Sequence, residues 1–232
     1  MMLKPSRILY LHGLGGSPRS SKALLVANHF ATRGIRTEIP DLAIPSLPDL
    51  SPRSIVEFVA AEIARLGPAP LAVVGSSFGA FVAAQSLLRL PQESRHHVQS
   101  LVLLAPVIEP WDSGSKLLSP EVEERWRREG SMLVEDLERR EQVPVHFRFV
   151  EELKEVANMD IVPVVPTLVV HGTRDETVSA AQSERFAKRN PGVELKLLDD
   201  DHRLLGQPVM LMSLVEGFIQ RSWQQTSAQP HK

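Results

Sequence analysis

The chain of 232 residues, 43% apolar and 23% charged, has the composition of a folded soluble protein and the length of one domain carrying an insertion. Its formal charge of −2 supplies no electrostatic reason to bind nucleic acid or an anionic membrane. The absence of cysteine excludes disulfides and thiolate metal sites.

Met1–Ser6 is short and polar, and the apolar run Ile8–Leu11 follows at once, ending at His12-Gly13. A secretory signal needs a longer apolar stretch and a small-residue cleavage site, and no window approaches the roughly 20 apolar residues that span a bilayer. The expected location is therefore the cytoplasm, with no membrane span. Ile8–Leu11 predicts a buried first strand, and helical spacing from about Ser21 to Arg33 predicts a helix stopped by Gly34. Arg36–Ile39 reads as a second strand. The stretch Pro40 to Pro52 holds four prolines and reads as a loop. Ile55, Val56, Val59, Ile63 and Leu66, spaced by three or four, mark a helix that Gly67-Pro68 ends.

Leu71–Val74 is the next strand and runs straight into Gly75-Ser76-Ser77-Phe78-Gly79; Ala80–Leu90 after it is rich in helix formers. Val98–Leu104 is a near-continuous apolar strand, the pattern of a sheet covered on both faces. Thr167–Val170 repeats it and is followed by His171-Gly172. Ala180–Arg189 reads as a helix, Glu194–Leu198 as a strand, Pro208–Trp223 as a last helix, and Gln224–Lys232 as a polar, frayed tail. This alternation predicts an α/β fold: a mostly parallel, doubly wound sheet in a single domain over residues 1–232.

Residues 110–162 break the alternation. They are charged and helical in pattern, with Glu121–Arg128 and Leu133–Arg140 the clearest pieces and Val143–Val150 ambiguous. They read as a small helical cap or lid inserted over the carboxyl ends of the strands; the alternative is a set of ordinary surface helices. Among its apolar residues are Trp111, Leu117, Leu118, Trp126, Met132, Leu133, Leu137, Phe147 and Phe149. Some must pack the insertion onto the body, and the remainder are expected to line an acyl pocket.

Gly75-Ser76-Ser77-Phe78-Gly79 fits G-x-S-x-G between an apolar strand and a helix, the context in which that string forms a sharp turn that exposes the serine hydroxyl. Ser77 holds the third position and is the candidate nucleophile. A plain strand-to-helix turn with a capping serine is the alternative. A serine hydroxyl needs a base, and with this elbow the chain order runs serine, acid, histidine. His146, His171, His202 and His231 lie downstream. His146 precedes any plausible acid, His171 ends a strand before a glycine, and His231 is in the tail, which leaves His202 in the loop after the last strand. The acid belongs to the loop after the preceding strand, His171 to Val178, where Asp175 is the first choice and Glu176 the second. Asp199, Asp200 and Asp201 read as a solvated turn, not a metal site. An oxyanion needs two fixed donors, assigned here to the backbone N–H groups of Phe78 and Leu14. His12 reads as a hydrogen-bonding residue that stabilises its loop. Gly13-x-Gly15 faintly matches a dinucleotide fingerprint, but Pro18 stands where the third glycine belongs.

Leu11-His12-Gly13, Gly75-Ser76-Ser77-Phe78-Gly79, His171-Gly172-Thr173-Arg174-Asp175 and Asp201-His202 resemble the landmarks of the α/β-hydrolase superfamily and span nearly the whole chain. More narrowly, Tyr10-Leu11-His12-Gly13 with Ser17-Pro18-Arg19-Ser20 and Gly75-Ser76-Ser77 resembles the small bacterial YqiA-like esterases; the Gly15-Gly16 pair and the charged stretch around Glu121–Arg140 depart from that pattern. The resemblance implies a serine hydrolase of carboxylic esters, with a small-molecule ester as partner and no metal or organic cofactor. An acyl thioesterase with the same residues, and a catalytically silent binding protein of the same fold, are the alternatives.

Overall fold

Outside residues 110–162 the apolar runs become strands and the amphipathic segments become helices in the expected order. Along the first half lie β1 (Arg7–Leu11), α1 (Ser21–Ala31), β2 (Arg36–Glu38), α2 (Pro52–Leu66), β3 (Leu71–Ser76), α3 (Phe78–Arg89), the short α4 (Gln92–Arg95) and β4 (Val98–Leu104). Then come α5 (Pro120–Glu129), β5 (Ser131–Asp136), β6 (Glu141–His146) and α6 (Arg148–Val156). The chain closes with β7 (Thr167–Gly172), α7 (Ala180–Arg189), β8 (Val193–Leu198) and α8 (Pro208–Ala228). The computed structural model describes residues 7–111 and 118–228; Met1–Ser6, Leu117 and His231 lie outside the described residues, as does the end of the tail.

Six strands form one parallel sheet in the order β2-β1-β3-β4-β7-β8. Successive side chains of a strand point to opposite faces, and both faces here are apolar. Leu9, Leu11, Val73, Leu103 and Val169 face one side, under α2, α3, α6 and α7. Ile8, Tyr10, Val74, Val102 and Val170 face the other, where Val26 and Phe30 of α1 and Leu211, Val215 and Ile219 of α8 cover them. This is the expected doubly wound α/β sheet. β1 leads to β2 on one side and the chain returns to β3 on the other, so the strand order reverses at β1. Ligands of such sheets bind outside the carboxyl ends of the strands at that point. The loop after β1 and the turn after β3 therefore flank the natural site.

The segment between β4 and β7 departs from its helical reading at Leu133–Arg140, where the chain makes the antiparallel hairpin β5–β6, with Ser131 opposite His146. Met132, Val134, Val143 and Val145 turn inward while Leu133 and Leu137 are exposed, a period of two that the run of charges concealed. The tip residue Arg140 adopts φ 57°. The ambiguous stretch 143–150 splits: it finishes β6 and then starts α6. Trp126 is buried, donates its indole N–H to Val145 O (2.8 Å) and stacks on Phe149, which lies against Phe78 at the start of α3. Gln85 and Arg89 of α3 donate to the carbonyls of Met159 and Val156. The hairpin tip reaches the loop after β1: Leu137 N–H donates to Gly15 O (2.9 Å). Gly15 has φ +69°, and a Cβ there would sit 2.2 Å from Glu135 O.

Candidate active site

The turn after β3 is bent as its sequence implies. Ser77 has φ 55° and ψ −121°, a conformation costly for a residue with a side chain and sustained only by surrounding contacts. Its N–H donates to Leu104 O (2.9 Å) and its carbonyl accepts from Ala80 N–H (3.0 Å). The two flanking glycines are forced by close approach. A Cβ on Gly75 would meet Ala80 Cα at 2.5 Å, and one on Gly79 would meet Leu11 O at 2.3 Å. We expect Gly79→Ala to lower folding stability by about 1–3 kcal/mol through overpacking against the end of β1, read as a drop in Tm by calorimetry; an unchanged Tm would mean that the elbow has slack.

The structure brings the three candidate side chains together from three different loops. His202 Nε2 lies 3.0 Å from Ser77 Oγ, and His202 Nδ1 lies 2.7 Å from Asp175 Oδ2. A carboxylate only accepts, so Nδ1 carries the imidazole proton and Nε2 is left as an acceptor facing the serine hydroxyl. The Asp175 side chain is fully buried and fully satisfied. Oδ2 also meets His171 Nε2 (3.1 Å), and Oδ1 accepts from the N–H groups of Thr177 and Val178 (both 2.8 Å). Burial alone would raise its pKa, but the hydrogen bonds from His171 and His202, the His202 charge and the Val178 N–H outweigh it and hold the carboxyl well below the usual carboxylate range. The side chain is a carboxylate at any working pH. Glu176, the second choice, is exposed.

His171, His12 and His146 make contacts of their own. His171 is buried, its Nε2 shared between Asp175 and Val178 O (3.0 Å) and its Nδ1 against Ser183 Oγ (2.7 Å). It is a packed, hydrogen-bonded residue, and it also helps to hold Asp175. His12 accepts from Leu42 N–H through Nε2 (3.1 Å) and faces Gly13 O through Nδ1 (3.0 Å), which ties two loops together; burial lowers its pKa. His146 is exposed and lies 3.7 Å from Asp49. Of the aspartates before His202, Asp199 and Asp201 are exposed, but Asp200 corrects the solvated-turn reading. It is buried and accepts from the N–H groups of Asp201, Gly206 and Gln207, shaping the loop that carries His202.

Phe78 is the first residue of α3, so its N–H is one of the helix's unpaired terminal donors. Leu14 N–H has no acceptor among the described residues. Gly13, just before it, abuts the elbow: a Cβ there would stand 3.1 Å from Ser77 Cβ. A cleft of about 840 Å³ opens over Ser77 and His202, bounded by the loop after β1, the start of α1 and the hairpin residues Glu135, Leu137, Glu138 and Arg140. A separate apolar recess of about 10 Å³ lies behind Leu14 and Phe78, walled by Leu42, Leu47 and Leu50. Trp111 and Phe147, two of the apolar residues among which an acyl-pocket lining was expected, border neither space; they pack within the segment between β4 and β7, under Lys154 and Arg127 respectively.

One residue escaped the sequence reading. Lys22 Nζ donates to Ser76 Oγ (2.9 Å) and to His202 O (3.3 Å), tying α1 to both the elbow and the histidine loop. Tyr10, buried beneath, also hydrogen-bonds Ser76, and burial pushes its phenol pKa up. The signal was present in the spacing. Lys22 stands four residues before Val26 and eight before Phe30, on the stripe of α1 that faces the core.

Solved structures of the same architecture come from distant organisms. Alpha/beta hydrolase domain-containing protein 10 from mouse superposes with a TM-score of 0.76 at 18% identity, over 95% of this chain and 92% of its own. The ferulic acid-bound Est1E of Butyrivibrio proteoclasticus gives 0.74 at 16% identity, covering 94% and 90%. A monoacylglycerol lipase of Paleococcus ferrophilus gives 0.69 at 13% identity, covering 94% and 96%. At these identities the likeness establishes the fold. Among the described residues no helix is long and apolar enough to cross a membrane. The model of one protein family matches residues 7–216, the whole sheet with its elbow and its histidine loop, and this α/β-hydrolase-fold chain therefore belongs to the uncharacterised protein family UPF0227.

Proposed function

We propose that the chain is a serine hydrolase that cleaves carboxylic esters through an acyl-enzyme, with Ser77 as nucleophile, His202 as general base and acid, and Asp175 as the carboxylate that orients the histidine. The observation that carries this reading is the unbroken hydrogen-bonded chain Asp175–His202–Ser77, with the imidazole acceptor aimed at the serine hydroxyl. Ser77 Oγ attacks the carbonyl as His202 Nε2 takes its proton. The oxyanion is stabilised by the N–H groups of Leu14 and Phe78, and the Asp175 carboxylate stabilises the imidazolium. His202 then protonates the departing alcohol. Water, deprotonated by the same nitrogen, attacks the acyl-enzyme and frees Ser77. That esterase and lipase names recur among the structural neighbours is consistent with this chemistry. A fluorophosphonate probe is the direct test. Labelling mapped to Ser77 is expected, and labelling at another serine overturns the assignment.

The acyl group is assigned to the recess behind Leu14 and Phe78, with the β5–β6 hairpin acting as a partial lid on the opposite side of the site. The recess is apolar and has room for about one water-sized group. Each methylene buried there is worth about 0.8 kcal/mol until the space is full. Across p-nitrophenyl esters, kcat/KM is therefore expected to peak at acetate or propionate and to fall as the chain lengthens to octanoate. Leu47→Ala, which deepens the recess, should move the optimum to longer chains, whereas Phe147→Ala should not move it. A flat profile that Leu47→Ala leaves unaltered removes the recess from the reading.

A further inference from the structure

The recess is apolar, but the cleft on the other side of Ser77 is charged. Four cationic side chains line it, Arg19, Lys22, Arg140 and Arg203, against two carboxylates, Glu135 and Glu138. Arg19 and Glu138 neutralise each other in an ion pair of 2.9 Å. In the cleft lining that leaves Lys22, Arg140 and Arg203 against Glu135, with Asp175, Asp200 and Asp201 within Coulombic reach of Lys22, in a protein whose formal charge is −2. Neither Arg140 nor Arg203 has an ion-pair partner among the described residues. Lys22 is the innermost of the three. It is only partly exposed, and both of its acceptors, Ser76 Oγ and the His202 carbonyl, are neutral. An ammonium group has three donors, so one remains after these two bonds. Burial pushes its pKa down to about 8, the charges of Asp175, Asp201 and Asp200 opposing the shift and Arg203 adding to it. A half-buried cation held by neutral oxygens gains from an anion brought beside it, because the low local dielectric strengthens the pairing.

The two spaces divide the ester. The acyl carbonyl oxygen must lie at the Leu14 and Phe78 N–H groups, which border the recess. The leaving oxygen must lie at His202, which protonates it, and His202 and Arg203 border the charged cleft. At about 840 Å³ that cleft has the size of a small-molecule site. We propose that the alcohol portion of the substrate carries an anionic group, a carboxylate or a phosphate, that Lys22, Arg140 and Arg203 recognise. This rests on the serine-hydrolase reading and adds its substrate class.

The test compares two esters of one short acid. 4-Carboxyphenyl butyrate carries the anion on its leaving group; its methyl ester analogue, 4-(methoxycarbonyl)phenyl butyrate, is neutral. Each kcat/KM is divided by the ester's own alkaline hydrolysis rate to remove differences in leaving-group reactivity. The wild type should favour the anionic ester by about tenfold or more at low ionic strength, and 0.5 M salt should erode that ratio through screening. Arg140→Gln with Arg203→Gln, both at exposed positions that leave the core intact, should bring the ratio down several-fold. A second pair, p-nitrophenyl hemiglutarate and p-nitrophenyl valerate, moves the charge to the acyl side, where no preference is expected. A ratio at or below one for the first pair, a ratio that the double variant leaves unchanged, or a preference that appears only in the second pair overturns the proposal. Failure of the underlying reading looks different: neither ester of either pair would turn over, and the fluorophosphonate would not label Ser77.

Discussion

Ser77→Ala is expected to lower kcat by a factor on the order of 10⁶, to the level that binding and the oxyanion donors sustain alone. The reason is local. Ser77 Oγ is the hydroxyl within 3.0 Å of His202 Nε2, and no other atom at the elbow replaces it. The neighbouring Ser76 supplies an internal control. Its hydroxyl accepts from Lys22 and is not directed at the imidazole acceptor. Ser76→Ala removes the hydrogen bonds that Ser76 makes with Lys22 and Tyr10, worth about 1 kcal/mol each, and should cost at most about tenfold in turnover. Alanine at position 77 should leave the fold intact, because the backbone contacts to Leu104 and Ala80 do not involve the side chain. Near-UV circular dichroism and Tm check that point, and ester turnover checks the rest. Equal losses in Ser76→Ala and Ser77→Ala, with both proteins folded, would overturn the assignment of the nucleophile.

Asp175→Asn should reduce kcat by a factor on the order of 10⁴. Asparagine keeps the shape but offers one acceptor oxygen and one amide donor. The acceptor satisfies the N–H groups of Thr177 and Val178, which Oδ1 serves in the native protein. The amide then faces His202 Nδ1 and His171 Nε2, where Oδ2 lay. His202 must move its proton to Nε2 to avoid a clash of donors, and in that tautomer it cannot accept from Ser77. His171 meets the same conflict while Nε2 still faces Val178 O, so a fall in Tm should accompany the loss of turnover. Glu176→Gln changes an exposed side chain and should stay close to the wild type. If Glu176→Gln is crippled and Asp175→Asn is not, the acid has been misassigned.

The residues of the site were readable one at a time because each follows a strand whose apolar run is visible by itself. Ser77 follows Leu71–Ser76, Asp175 follows Thr167–Gly172, and His202 follows Val193–Leu198. A parallel strand buried on both faces announces its carboxyl end by a change from apolar residues to glycine and polar residues, and that end is where such a sheet carries chemistry. The β5–β6 hairpin was not readable in this way. Charged residues at 135–140 obscured the alternation of Met132, Val134, Val143 and Val145, whose inward face exists only because α5 and the body lie beneath it. Local propensity is a weak prior that such packing overrides.

The sequence by itself determined the order of elements outside residues 110–162, the doubly wound class and the bent turn at Ser77. Each element and the turn depend on patterns confined to their own neighbouring residues, and the class depends on the alternation of those elements along the chain. Only the tertiary structure decided what those residues meet. Lys22 reaches Ser76, 54 positions along the chain, and the His202 carbonyl, 180 positions along. His171 shares Asp175 with His202, and Asp200 turns inward to brace the histidine loop. The cationic wall joins residues from the start of α1, the hairpin tip and the loop after β8. Contacts of this kind have no signature in local spacing, because they arise only when the packing of α1 and of the segment between β4 and β7 against the sheet brings distant segments to the same carboxyl edge.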